Sequence, residues 1–204
     1  MEAIDIASKY DAFARCYDWA ELAPELLGLR RLRRRLVESA SGDVLEVAVG
    51  TGRNLAHYPK DVRLTGVDLS QGMLSKAQAR AAEVGLAATF DLMDVEHLAF
   101  PDDSFDTVVD TMSLCTFPNP ISALRELGRV CRKSGRVLLL EHGRSDCGWL
   151  GAFQDRRAAK HAEPLGCQWN REPLALVEQS GLRIVHAARH FLGVFHLIEA
   201  TPPQ

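Results

Sequence analysis

The sequence predicts an α/β fold organised on a mostly parallel sheet. Three observations carry this. Short apolar runs rich in β-branched residues alternate with helix-forming stretches, the pattern of strand–helix–strand units. One of these runs, Val44-Leu45-Glu46-Val47-Ala48-Val49, breaks at Gly50-Thr51-Gly52 before helix formers resume. Asp68 closes the next run, at the C-terminal strand edge where open α/β sheets bind ligands.

Composition narrows the class. The 204 residues are 47% hydrophobic and 25% charged, enough for one α/β domain with a sizeable core. Residues 1–204 are expected to form that one domain, with 1–40 as a helical N-terminal segment over the cleft. A net charge of −3 gives no global attraction to nucleic acid. Five cysteines without a C-x-x-C argue for a reducing compartment rather than a disulfide framework. The histidines and cysteines show no metal-ligand spacing, so no metal is expected. The N-terminus does not read as a signal peptide and no apolar run reaches membrane-span length. These features suit a cytoplasmic protein, a monomer or weak dimer, with or without peripheral membrane contact.

The elements follow in order. Tyr10, Phe13, Tyr17 and Trp19 crowd the region ahead of the first strand. They suit either a packed N-terminal helix or one lying over the ligand cleft. Pro24 to Ala40 reads as one helix with Leu22, Leu26, Leu29, Leu32, Leu36 and Val37 on an apolar face. Its other face carries the run Arg30 to Arg35, which reads as a solvated surface or as a contact for an anionic membrane. Val62 to Asp68 is the second strand, with Ser70 as the N-cap of a helix that stops at Gly85. Ala87 to Asp91 is the third strand and Thr107 to Met112 the fourth. Pro120 to Arg132 is helical, with Glu126 and Arg129 placed for an ion pair. A turn at Lys133-Ser134-Gly135 leads into a fifth strand, Arg136 to Glu141. Residues 181–185 and 193–200 read as two closing strands. Their connection is too short for a helical crossover, so they are an antiparallel pair.

Glu46 is the odd residue of the first strand. A carboxylate inside such a run costs several kcal/mol unless it is partnered, by backbone N–H groups or a cation. A dinucleotide site would want G-x-G-x-x-G, but the third glycine is replaced by Leu55 and an acid at Glu46 is not needed there. The stretch Glu46 to Gly52 instead closely resembles the E-x-G-x-G-x-G loop of class I S-adenosylmethionine (SAM) methyltransferases, with Ala48 in place of the first glycine. The segment Phe100 to Asp106 and the stretch Leu124 to Arg136 are also similar to that family, and Tyr10 to Asp18 resembles a segment that closes the site in its ubiquinone-biosynthesis type. The resemblance implies a Rossmann-like three-layer sandwich whose sheet has seven strands, the last antiparallel. It also implies that Glu46, Gly50 and Gly52 hold the methionine end of SAM, Asp68 the ribose, and Asp94 with Val95 the adenine. Tyr17, Ala48, Thr51, Asn54, Leu69, Met73, Thr111 and Met112 complete the candidate cofactor contacts, with Tyr17 as the lid residue.

Glu141-His142-Gly143-Arg144-Ser145 and Gly166-Cys167-Gln168-Trp169-Asn170-Arg171 resemble a subgroup that includes alkyl-thiol methyltransferases and mitochondrial relatives. Its known eukaryotic members carry an N-terminal hydrophobic anchor that is missing here. Methyl transfer from a sulfonium needs positioning and desolvation, and a base only when the acceptor must lose a proton. His142 is the candidate base, or else a packing histidine. Tyr10, Ser113, Cys115, Arg144 and Trp169 are the candidate acceptor contacts, and Cys167 reads as a buried small side chain. The expected activity is methyl transfer from SAM, leaving S-adenosylhomocysteine, to sulfur, nitrogen or oxygen of a small molecule or lipid head group. A SAM-binding protein without transfer, and a nicotinamide-dependent oxidoreductase, are the other readings.

Overall fold

Helix α1 (Ala3–Ala20) leads the chain in the computed structural model, which describes residues 3–20 and 22–203. It packs on the helix after the second strand, and Lys9 reaches across to donate to the Glu163 carbonyl at 2.8 Å. A single turn, α2 (Leu22–Pro24), and a wider π-helical turn over Glu25–Leu29 precede α3 (Arg30–Val37). The expected continuous helix from Pro24 to Ala40 is therefore broken, and the break is at Gly28. Its φ of 132° is closed to ordinary side chains, and the edge of the Phe191 ring sits 2.7 Å from where a Cβ would be. The break also turns Leu22 and Leu26 outward, while Leu29, Leu32, Leu36 and Val37 are buried as expected. Gly28→Ala is expected to cost about 1–2 kcal/mol, mostly through φ because the ring can shift. Urea unfolding would read this, and an unchanged midpoint would show that the backbone relaxes freely here.

The sheet is built from β1 (Asp43–Val47), β2 (Arg63–Asp68), β3 (Ala88–Leu92), β4 (Phe105–Thr111) and β5 (Cys131–His142), with β6 (Arg183–His190) and β7 (Phe195–Thr201) last. Its order is β3-β2-β1-β4-β5-β7-β6. The first five strands pair in parallel, and β7 runs antiparallel between β5 and β6. α4 (Gln71–Val84) begins on the Ser70 cap, whose hydroxyl accepts from Met73 N at 3.1 Å, and ends on left-handed Gly85. α5 (Pro120–Val130) ends before Arg132, because Cys131 already pairs with Phe105 at a bulge in β5. Glu126 and Arg129 pair at 2.7 Å. Two further helices, α6 (Gly148–Leu165) and α7 (Pro173–Ser180), fill the crossover between β5 and β6.

The strands sort their side chains by the two-residue period. Val137 and Leu139 join the cluster under α5 and α7, while Leu138 and Leu140 join the cluster under α3 and α4. Each fully buried Leu or Ile in these layers contributes roughly 1.5–3 kcal/mol. β1 and β4 are thereby covered on both faces, which leaves only the C-terminal strand edges open.

Candidate active site

β1, β2 and β4 end side by side, and the loops that follow them floor a cleft roofed by α1. Ala48, Gly50 and Gly52 all take left-handed φ values, 46°, 56° and 77°, so the chain turns back on itself directly after β1. Val49 N bonds to Val67 O at 3.0 Å, and Gly52 N returns to Val49 O at 3.0 Å. Asp68 holds this loop. Its carboxylate accepts from Gly50 N at 2.8 Å with one oxygen and from Ser70 N at 2.9 Å with the other. Withdrawal from bulk water raises the Asp68 carboxyl above its ordinary value despite those two donors.

The cleft encloses about 770 Å³ of empty space, part of it open to solvent. Ala48, Gly50, Asp68, Leu69 and Met73 line one side, Asp94 and Val95 the far end, and Thr111, Met112 and Ser113 the other side. Tyr10 and Tyr17 close it from α1. Asp94 accepts from Glu96 N at 2.9 Å, which starts a short 3₁₀ turn over Val95–His97. Met112 has a left-handed φ of 62°, an uncommon backbone for a non-glycine residue and one that concentrates at functional edges. Sequence reasoning missed Ile6, Ala7, Met93, Glu96, Thr116, Phe117 and Pro118, which complete the lining.

Glu46 lies beside the cleft, in a small compartment that shares Tyr17, Ala48, Gly50 and Thr111 with it. One carboxylate oxygen accepts from Asn54 Nδ2 at 2.7 Å, and the buried Tyr58 hydroxyl interacts with the same carboxyl. Burial pushes its pKa up to about 7, against the pull of Tyr58, Asn54 and Arg33. Arg33 is buried too: it donates to Thr111 Oγ1 at 2.8 Å and to Glu25 Oε1 at 2.7 Å. The basic run is thus not wholly a solvated face, because Arg33 belongs to the site. Its spacing three and four residues from Leu29, Leu36 and Val37 was the signal.

α1 is tied over the loop by its acids. Asp11 accepts from Gly72 N at 2.8 Å and from the Ser70 hydroxyl. Asp18 accepts from Thr51 Oγ1 and Arg80, each at 2.8 Å, and pairs with Arg53 at 3.1 Å. Burial would raise the Asp18 carboxyl, but Thr51, Arg80 and Arg53 together hold it below its ordinary value. Thr51 therefore serves the roof rather than the cleft. Gly52 does not line the cleft either: a Cβ there would stand 2.5 Å from Leu55 and 3.1 Å from Ala77, so it lets the loop pack on α4.

Below the 112–116 loop, Glu141 accepts from Ser113 N and Leu114 N, each at 3.2 Å, and Asp110 accepts from the Ser113 hydroxyl. Burial raises both carboxyls, and for Glu141 the charge on Asp110 adds to it. The sequence placed these acids in strands without showing that they shape the cleft wall.

Four expected contacts lie elsewhere. His142 does not line the cleft; its Nε2 sits 3.4 Å from Cys167 Sγ. Cys115 is buried beside that pair. Arg144 pairs with Asp155 at 3.0 Å. Trp169 stacks on His161 at 4.0 Å and lines an outer groove. Asn170 does not cap α7, since it donates to Asp155 instead. The physical reason is pairing away from the cleft: Cys115, His142 and Cys167 converge on one another, while Asp155 and Gln154 of α6 hold Arg144 and Trp169.

A family model described as a methyltransferase domain matches residues 45–139. A phosphatidylethanolamine N-methyltransferase of Cereibacter sphaeroides is 40% identical over 139 residues, 67% of this chain and 68% of that protein. The chain belongs to the SAM-dependent methyltransferases. A mitochondrial methyltransferase of Saccharomyces cerevisiae is 29% identical across 98% of this methyltransferase but only 47% of its own length. The chain thus spans between about half and two thirds of these relatives. A SAM-dependent methyltransferase of Thermotoga maritima shares the fold with a TM-score of 0.70, at 21% identity, covering 96% of this chain and 99% of that one. The seven-stranded, mostly parallel sheet with its antiparallel β7 is the one the family resemblance implied. No described helix of this methyltransferase is long and apolar enough to cross a membrane.

Proposed function

We propose that this methyltransferase acts on a lipid head group or small, largely apolar acceptor that enters the cleft between α1 and the 113–118 loop. The observation that carries the reading is the buried Glu46 carboxylate in the compartment that opens beside a cleft floored by Asp68. A buried carboxylate with only neutral hydrogen-bonding groups beside it, Asn54 and Tyr58, still fits a cationic amine, which the methionine end of SAM provides. Asp68 has lone pairs beyond its two N–H bonds for ribose hydroxyls. Asp94 and Val95 stand at the far end, where adenine would lie. SAM supplies an electrophilic methyl group on a sulfonium that leaves readily.

The chain's own residues bind, orient and exclude water. α1 roofs the cleft, and Asp11 and Asp18 fix that roof to the cofactor loop. Ile6, Ala7, Met73 and Met112 give it apolar walls, which favour desolvation of the reacting groups. His142 is turned toward Cys167, and no histidine is among the described residues lining the cleft. Rate acceleration then rests on positioning rather than on a histidine base. Calorimetry with SAM, S-adenosylhomocysteine and NADH tests the reading. Both sulfur ligands should bind and NADH should not; absence of SAM binding would remove it. The likeness to a phosphatidylethanolamine N-methyltransferase makes vesicles of that lipid the first acceptor to try, followed by thiols and amines.

The same reading seats the protein on a membrane. Trp19 and Leu27 are 81% and 77% exposed, and Leu26 and Leu192 are also outside. Arg30, Arg31 and Arg34 are exposed on the neighbouring α3. Apolar side chains beside a basic helix suit an anionic lipid surface. Co-sedimentation should be stronger with anionic than with neutral vesicles and should fall with salt. Equal binding to both would reject the contact.

A further inference from the structure

Cys115, His142 and Cys167 stand outside the cleft, and the proposed reaction uses none of them. Their ligand atoms nevertheless converge: Cys115 Sγ, Cys167 Sγ and a ring nitrogen of His142 all lie within 4.8 Å of one another. We propose that these three side chains form a binding site for one thiophilic cation, with Zn²⁺ as the best match.

The distances fit. Tetrahedral zinc holds sulfur at about 2.3 Å and imidazole nitrogen at about 2.0–2.1 Å, which sets neighbouring ligand atoms about 3.5–3.8 Å apart. His142 Nε2 and Cys167 Sγ are 3.4 Å apart. Closing the widest allowed separation to that range takes about 1 Å, within reach of a cysteine χ1 adjustment. The chemistry fits as well. Two sulfurs and an imidazole select zinc or Cu(I) over magnesium and calcium, which prefer oxygen. Binding needs both sulfurs as thiolates, and any thiol proton displaced goes to water.

The frame is set by contacts that need no metal. Gln168 N donates to the Cys115 carbonyl at 2.9 Å, and Arg144 N donates to the Arg171 carbonyl at 2.8 Å. Arg171 also donates to the Phe117 carbonyl at 2.9 Å. Three distant parts of the chain are thereby held in register: the loop after β4, the end of β5 and the segment after α6. Cys167 also lines the outer groove with His161 and Trp169, which gives an entry path and room for a water as fourth ligand. The loop that carries Cys115 also supplies Ser113, Thr116 and Phe117 to the cleft. The cation would clip this wall to the α6–α7 segment.

The test uses the full chain, purified under reducing conditions, stripped with a chelator and titrated with Zn²⁺ or Co²⁺ alone. One equivalent of zinc per chain is expected, and cobalt should give thiolate charge-transfer and tetrahedral d–d absorption. Loss of a ligand should cost at least as much as loss of a partner behind one, on the order of a hundredfold in affinity. Cys167→Ser and His142→Gln should each show that loss, while Cys16→Ser and Cys147→Ser should not. The proposal is overturned if the folded wild type takes up no stoichiometric zinc, or if both ligand variants bind it as the wild type does. A Cys115–Cys167 disulfide that persists in reducing buffer and keeps zinc out would overturn it too. SAM affinity enters none of these readouts, so failure here leaves the methyltransferase reading intact.

Discussion

Glu46→Gln is expected to stabilise the ligand-free protein above neutral pH while weakening SAM binding tenfold or more, about the strength of one charged hydrogen bond. The Glu46 carboxyl titrates at about 7 in the folded chain against an ordinary 4.5, because burial disfavours its charge. A group raised in this way contributes stability that is complete below pH 4.5 and lost as pH climbs through 7. The size of the shift sets a ceiling of roughly 3 kcal/mol. Glutamine never ionises, so the variant escapes this loss. Urea unfolding at pH 5 and pH 8 should show a smaller decline for Glu46→Gln than for wild type, by about 1–3 kcal/mol. Asp110 and Glu141 are also raised by burial, so part of the decline will remain. Binding runs the other way. A cation partners the ionised form, so wild-type SAM affinity should rise with pH through about 7 and the variant's should stay flat. Matching pH profiles for the two proteins would refute the assignment of Glu46 as the cation's partner.

Asp68→Ala is expected to lower SAM affinity on the order of a hundredfold, the worth of one or two hydrogen bonds to a charged group. It acts on the protein as well as the ligand. Gly50 N and Ser70 N would both lose their acceptor, at about 1–3 kcal/mol for each donor left unsatisfied. Asp68→Asn separates the two effects. The amide keeps one oxygen for the loop, so its stability should lie nearer wild type, while its lost charge still weakens ribose binding. Calorimetry beside urea unfolding reads both, and SAM affinity unchanged in the alanine variant would remove Asp68 from the site.

What could be read from the residues, and what could not, follows from how far apart the partners lie. The strands and the cofactor loop were legible because each is a local pattern: an apolar run, a glycine break, an acid at a strand end. Gly28 was legible in principle, but a glycine inside a leucine-rich helical period is tolerated often enough to pass as part of it. Arg33 was hidden by its neighbours, since four other arginines in the same run are exposed. Its partners Thr111 and Glu25 come from β4 and the turn before α3, and pairing across elements leaves no local mark. The contact that His142 makes has the same origin. Its sequence position at the sheet edge was right, but Cys167, 25 residues further on, reaches it only through the packing of α6.

Gly28 and Phe191 meet near opposite ends of the polypeptide. During synthesis, the leucines of the first helices emerge long before the β6–β7 hairpin exists to cap the break at Gly28. Closure over so long a stretch of chain comes late and slowly, since its entropy is lost before the contact is made. The segment that carries the roof of the cleft and Arg33 therefore waits on the β6–β7 hairpin before it settles. Until that hairpin forms, Leu29 and Leu32 are without their final packing, so the cofactor pocket matures only after β6 and β7 have emerged.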